Sequence, residues 1–223
     1  MAEDFDLNDA SDATHLGASQ RVYLGIMEDL EARRMVPGQR LIETDLAKRF
    51  NVGRNAVREA IQRLAVRGVI DPSRNKSPAI RCIDLKETLE ILDVAAALTG
   101  LAAHAAARAF DAAQDQLALD TAMAALENVD TDSGPGHFSR ARRQFYRVIL
   151  SIGGNRELER LFPAIGMHII YSQFQSPKLQ QLRMTDYRAI RDAIVSGNAN
   201  CAESAARNHV EHVRAIILKS EQE

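Results

Sequence analysis

The chain has 223 residues, 46% hydrophobic and 26% charged, which excludes a wholly disordered or collagen-like protein and suffices for one large core or two small ones. Two cysteines, Cys82 and Cys201, cannot build a disulfide framework or a four-thiolate zinc site, so a reducing cytoplasm is expected. The opening MAEDFDLNDA is unlike a signal peptide, and no segment is read as approaching the roughly 18 to 20 apolar residues of a membrane span.

The net charge of −2 hides a segregation along the chain. Residues 1–16 carry five acids and no Lys or Arg, and read as an acidic disordered tail. Residues 17–83 carry 13 Lys and Arg against 7 Asp and Glu, and residues 84–223 carry 15 against 18. A basic segment of this size is the electrostatic footprint of a phosphate-binding domain.

From Ala18, the apolar residues Val22, Ile26 and Leu30 recur at helical spacing as far as Arg33-Arg34, and Pro37-Gly38 turns the chain. A short second helix follows, with Thr44 as its expected N-cap and an end near Phe50-Asn51. The third helix starts at Arg54, buries Val57, Ile61, Leu64 and Ala65, and stops at Gly68. Val69-Ile70 and Ala79 to Ile83 are strand-like runs flanking a basic tip at Arg74, Asn75 and Lys76. Three helices and a hairpin predict a winged helix-turn-helix over residues 17–83.

Residues 84–223 read as all-helical, an antiparallel bundle. Asp84 with Glu87 predicts a capping box for a helix to about Phe110, and Asp111 predicts the cap of the next, ending near Val129. Residues 130–136 form the clearest loop. Further helices are expected at about 137–152, from Asn155 into the 170s with a break near Pro163, at 178–196 and at 199–219. Core lines include Leu89, Leu92, Ala96, Ile190 and Ile194.

A helix-turn-helix inserts the start of its second helix into the major groove, so Arg54, Asn55, Arg58 and Gln62 are the expected readers. Thr44, Arg74 and Lys76 complete the expected DNA-binding set, while Arg63 and Arg67 are placed to track phosphates. The run from Pro37-Gly38 and Leu41 through Leu46-Ala47 to Val52-Gly53-Arg54-Asn55-Ala56-Val57-Arg58-Glu59-Ala60-Ile61-Gln62-Arg63-Leu64 resembles the GntR family of bacterial transcription regulators. The helical part is similar to the FCD effector domain of its FadR-type subfamily. Gly53 stands where that family usually has Ser or Thr, and Asn75-Lys76 replaces the usual wing pair Arg-Gly.

The FCD resemblance implies a metal held by an Asp and three His. Aligning Phe145 and Gly153-Gly154-Asn155 puts Arg142 at the Asp position, Tyr146 and Tyr187 at two His positions, and leaves only His209. A guanidinium repels a cation and phenols are poor ligands at neutral pH, so no metal and no cofactor are expected. In its place, Arg142, Tyr146, Tyr187 and His209 are read as a metal-free site for a small anionic metabolite such as a carboxylate. The family's Arg-x-x-Leu-Glu is also gone, replaced by Ala95-Ala96-Ala97-Leu98-Thr99. His104, His137 and His168 are expected to be structural or exposed, and His209 and His212 to share a helix face. There is no H-E-x-x-H, G-x-S-x-G or phosphate-cradling glycine loop, so an enzyme is excluded. The expectation is a homodimeric repressor of a catabolic operon, cytoplasmic and membrane-free, binding a pseudo-palindromic double-stranded operator. The alternative is an effector-independent DNA-binding dimer whose pocket the tyrosines pack shut.

Overall fold

In the computed structural model, residues 17–71, 77–129, 137–174 and 177–220 are described. Helix α1 (Ala18–Glu31) buries Val22, Ile26 and Leu30 completely, as its four-residue spacing requires. It packs on α3 (Arg54–Val66), and α2 (Glu43–Phe50) lies across both. The approach of α1 to α2 is set by Gly25, where a Cβ would collide with the Phe50 ring. Asn51 ends α2 in the left-handed region, at φ 49°. Strands β1 (Ile70–Asp71) and β2 (Ala79–Ile80) pair antiparallel, Ile70 opposite Ile80, and a bridge from Arg40 to Ala79 pins the α1–α2 loop to the hairpin. The expected wing-tip residues Arg74, Asn75 and Lys76 lie outside the described residues.

Thr44 is not the cap of α2. The helix begins one residue earlier, at Glu43, after Ile42 in extended backbone, so Thr44 is exposed inside the first turn. Glu43 and Asp45 favour that end of the helix through the dipole instead of a hydroxyl cap.

The helical part runs α4 (Leu85–Ala109), α5 (Ala112–Glu127), α6 (His137–Gly153), α7 (Arg156–Leu161), a 3-10 turn (Phe162–Ile165), α8 (Met167–Gln173), α9 (Pro177–Val195) and α10 (Ala199–Ser220). Asp84 caps α4 by accepting from Glu87 N at 2.7 Å, but the Glu87 carboxylate pairs with Arg81 rather than closing a capping box. Asp111 caps α5 as its position predicts, and Asn155, at the expected start of the next segment, caps α7 by accepting from Glu157 N and Leu158 N. The loop expected at 130–136 lies outside the described residues.

Helix α4 corrects the membrane reading, because by length and composition it is apolar enough to cross a bilayer. Its alanine-rich face is instead the centre of the bundle, packed by α6, α9 and α10, with Leu92, Ala95, Ala102, Ala103 and Ala106 buried. The small residues that replaced Arg-x-x-Leu-Glu contribute to this packing. Thr99 turns its hydroxyl back to Ala95 O at 2.8 Å and leaves no polar group for a ligand there.

Two cores result. One lies between α4, α5, α6, α9 and α10. The other is continuous across both halves of the chain, joining Val22, Ile26, Leu30 and Leu64 to Leu92, Ile169, Ile170, Val213 and Ile217.

Within the N-terminal half, Asp29 is buried on α1. Its carboxylate accepts from Arg34 Nε at 2.6 Å, and Arg49 Nη2 of α2 lies 2.7 and 2.6 Å from its two oxygens. Asp29→Ala would leave two half-exposed guanidiniums free to rehydrate, so the cost falls below that of a fully buried pair, at roughly 2 kcal/mol. Thermal unfolding should then shift down by about 4 to 8 °C, and an unchanged midpoint would show that these pairs do not hold the head together.

Candidate functional site

At the start of α3, Gly53 caps the helix in extended backbone without a side-chain bond. Arg54 and Asn55 are exposed in the first turn and make no side-chain bond to another described residue. Gln62 is exposed two turns on. Arg58 is held instead, its Nε 2.8 Å from Glu43 Oε2, so it would have to exchange that carboxylate for a base or phosphate. Arg63 and Arg67 do not project as phosphate trackers. Their guanidiniums lie 5.0 and 5.2 Å from the Tyr23 ring centroid, and Arg67 Nη1 donates to the Tyr23 hydroxyl at 2.5 Å. Aromatic stacking and a hydrogen bond draw them back onto α1.

In the helical half, α6, α9 and α10 bring together the four residues read as an effector site. Arg142 and Tyr146 are buried on α6, Tyr187 on α9 and His209 on α10. Tyr187 is the hub, its ring centroid 4.7 Å from His209, 5.3 Å from Phe145 and 6.1 Å from Tyr146.

Three further members were missed in the sequence. Arg183 on α9 is 7% exposed, and Tyr171 on α8 is equally buried. The guanidinium carbons of Arg142 and Arg183 lie 3.5 and 4.4 Å from the Tyr171 ring centroid. Asp186, beside Tyr187, receives His209 Nδ1 at 3.1 Å and His212 Nδ1 at 3.0 Å. The four-residue step from Arg183 to Tyr187 was the available signal, since it places the two on one helix face.

Several buried polar atoms here have no hydrogen-bond partner among the described residues: Arg142 Nη1, Arg183 Nε, Arg183 Nη2 and His209 Nε2. The Tyr187 hydroxyl likewise has no hydrogen-bond partner among the described residues. Among the described residues, neither arginine pairs with a carboxylate. A cleft of about 460 Å³ between α9 and α10, lined by Asp186, Ala189, Cys201, Ser204, Asn208 and His212 among others, opens on the outer side of Asp186 and does not reach the arginines.

Burial pushes both the Tyr146 and Tyr187 phenols well above their ordinary pKa, so both stay neutral. Burial pulls Arg183 down, with Arg142 acting in the same sense. His209 is lowered by burial, which outweighs its bond to Asp186. Burial pushes Asp186 up, but the bonds from His209 and His212 outweigh it and leave the carboxyl lowered. An ionised Asp186 cannot donate, so His209 carries its proton on Nδ1 and presents Nε2 as a bare lone pair.

A divalent metal does not fit this donor set. Arg142 repels it, the raised phenols resist becoming phenolates, and His209 and His212 both spend Nδ1 on Asp186. Among the described residues, no three His, Cys, Asp or Glu side chains are grouped to hold a metal ion. Of the remaining histidines, His104 pairs with Glu203 at 3.3 Å and His137 is exposed, while the His168 side chain lies outside the described residues.

Residues 18–77 match the model of bacterial regulatory proteins of the gntR family, and residues 90–212, more than half the chain, match the FCD domain. The chain belongs to the gntR family, with an FCD domain. It is 24% identical to a probable D-xylose utilization operon transcriptional repressor of Paenarthrobacter nicotinovorans, over 83% of this chain and 82% of that protein. It is 25% identical to the HTH-type transcriptional regulator Mce2R of Mycobacterium tuberculosis, over 92% and 93%. Among solved structures, E. coli McbR/YncC superposes with a TM-score of 0.72 at 18% identity, covering 92% of this chain and 99% of that one. A putative GntR regulator from Rhodococcus sp. RHA1 gives 0.72 at 20% identity, covering 90% and 97%, and both likenesses concern the fold. This gntR-family chain is a DNA-binding transcription regulator, not an enzyme.

The buried His209 gives a pH dependence. Its folded pKa lies below the unfolded value of about 6.5, so as pH falls below that value the unfolded chain binds a proton the folded chain refuses, and stability drops. The lowered Asp186 adds loss in the same direction at still lower pH. The unfolding midpoint should fall from pH 7.5 to 5.5, and His209→Gln should flatten part of that slope. An identical slope in wild type and variant would show that His209 is already charged in the fold.

Proposed function

We propose that this regulator is a homodimeric repressor of a catabolic operon, acting in the cytoplasm and released from a pseudo-palindromic operator by a small carboxylate bound without metal. The observation that supports the effector is the pair Arg142 and Arg183, buried with three N–H-bearing nitrogens unsatisfied and no carboxylate opposite them. An isolated buried charge is strongly unfavourable, and stacking on Tyr171 recovers only about 0.5 to 2 kcal/mol per cation. A carboxylate would fill the deficit. Arg183 Nε and Nη2 form the edge of a guanidinium that grips such a group in two-point fashion, Arg142 Nη1 is a further unsatisfied donor on a guanidinium against the same Tyr171 ring, and Tyr187 would supply a hydroxyl. Tyr146 walls the site, and the His209 lone pair takes a donor from the ligand.

The second reading, a pocket packed shut, has the close ring contacts around Tyr187 in its favour. Against it stand the unpaired guanidinium nitrogens, because a site relieved of its ligand has no reason to keep two buried cations. On the DNA side, Arg54 and Asn55 would read base edges, with Arg58 recruited from Glu43, Gln62 and Thr44 nearby, and the wing residues Arg74 and Lys76 reaching the neighbouring backbone. A repressor sense accords with the description of the D-xylose operon relative.

Arg183→Met should leave the ligand-free protein as stable as wild type or more so, because it removes a buried unpaired charge. The same variant should lose the melting shift that small carboxylates induce in wild type. A large destabilisation would mean that Arg183 is structurally paired and would remove the main support for the anion site. Arg54→Ala should weaken binding to the promoter DNA of the protein's own gene by roughly 1 to 3 kcal/mol, and unchanged affinity would contradict the docking of α3.

A further inference from the structure

Helix α8 is seven residues long, yet it touches both halves of the molecule. Its Tyr171 ring carries the guanidiniums of Arg142 and Arg183. Two residues later, Gln173 grips both polar groups of one backbone residue: its Nε2 donates to Ile83 O at 2.7 Å and its Oε1 accepts from Ile83 N at 3.3 Å. Ile83 lies between strand β2 and Asp84, the cap of α4, on the segment that leads out of the DNA-binding half. Ile169 and Ile170 of the same helix are buried in the core shared with α1.

Successive helical residues are turned by about 100°, so Tyr171 and Gln173 project to opposite sides of α8. The helix is bounded by joints. Gly166 precedes it in the left-handed region at φ 78°, and Phe174 leaves it in extended backbone. A short rigid rod between two joints converts displacement of one side chain into displacement of the other.

We propose that α8 transmits the effector signal, with Tyr171 as its input and Gln173 as a positioning residue at its output. The proposal rests on the carboxylate reading of the Arg142 and Arg183 pair. Capture of an anion by the guanidinium edges displaces both groups, Tyr171 follows because their carbons lie 3.5 and 4.4 Å from its ring centroid, and Gln173 carries the movement to Ile83 and the DNA-binding half. Arg81 ties the same connecting segment at both ends, to Gly68 O at 3.4 Å and to the Glu87 carboxylate, so a shift at Ile83 reaches the end of α3 and the start of α4 together. Such coupling is reciprocal, and operator DNA must alter anion affinity by the same factor.

The test uses the full-length protein, DNA from its own promoter, and acetate as a minimal carboxylate, with chloride at matched ionic strength because salt itself weakens DNA binding. In wild type, acetate should raise the melting temperature and change DNA affinity by about fivefold or more. Gln173→Ala and Gln173→Glu remove the clamp in different ways, the second keeping the acceptor for Ile83 N, and either suffices if the other fails to fold. Each should keep the acetate-induced melting shift while its DNA affinity changes by less than about twofold. A wild-type-sized DNA response in a folded variant would overturn the role of Gln173, as would an acetate melting shift in wild type without any DNA response. Absence of the melting shift in wild type would instead overturn the carboxylate reading beneath it.

Discussion

Two guanidinium groups buried over one tyrosine ring are the feature on which the C-terminal half turns. Arg142 comes from α6, Tyr171 from α8 and Arg183 from α9, so three helices meet through a contact that is attractive at the ring faces and repulsive between the cations. Without an anion, the site stores unfavourable electrostatics inside a bundle that is otherwise held by small apolar contacts. That is a reasonable arrangement for a sensor, because a ligand that neutralises the charge gains affinity from relieving it. Asp186, beside Tyr187, is already engaged by His209 Nδ1 and His212 Nδ1, which keeps a carboxylate within the cluster without letting it neutralise the arginines.

The second constraint is the core shared between the halves. Val22, Ile26 and Leu30 of α1 belong to the same apolar cluster as Ile169 and Ile170 of α8 and Val213 and Ile217 of α10. The DNA-binding half is therefore not a bead on a free linker. A displacement inside the bundle meets close-packed side chains and polar clamps on its way to α1 and α3, and close packing favours discrete rearrangement over continuous deformation. The substitutions that distinguish this chain from the FCD pattern fit that picture. If Arg142 stands where the resemblance puts a metal ligand, it would keep a fixed positive charge there, and Tyr146 and Tyr187 pack their rings beside it in place of ligating side chains.

Much of the fold was legible because local signals agreed with global ones: Asp111 at a cap, Gly68 at a stop, and Val22, Ile26 and Leu30 at one spacing. Thr44 misled because a hydroxyl near a helix start is a weak signal beside two acids in the first turn. Helix α4 misled in another way, since its apolar length was visible in composition but its purpose, close approach of α10 along a small-residue face, depends on partners far away in sequence. The exposed position of Arg54 and Asn55 at the start of α3 was legible from motif position alone. Arg63 and Arg67 were not, because their folding back depends on Tyr23, some 40 residues earlier. Arg183 was signalled only by its four-residue step to Tyr187, and Tyr171 and Gln173 escaped because no sequence spacing reveals that three helices converge on one ring, or that one side chain binds a backbone 90 residues away.

The central claim is that Arg142 and Arg183 await an anion. A crystal structure of the protein soaked in bromide, read by anomalous scattering, tests it most directly, because a heavy monoanion reports the charge deficit without depending on the identity of the effector. The account predicts a bromide peak within hydrogen-bond reach of Arg142 Nη1 and the Arg183 Nε and Nη2 edge. Both guanidiniums paired with carboxylates of the protein, and no bromide beside them, would contradict it.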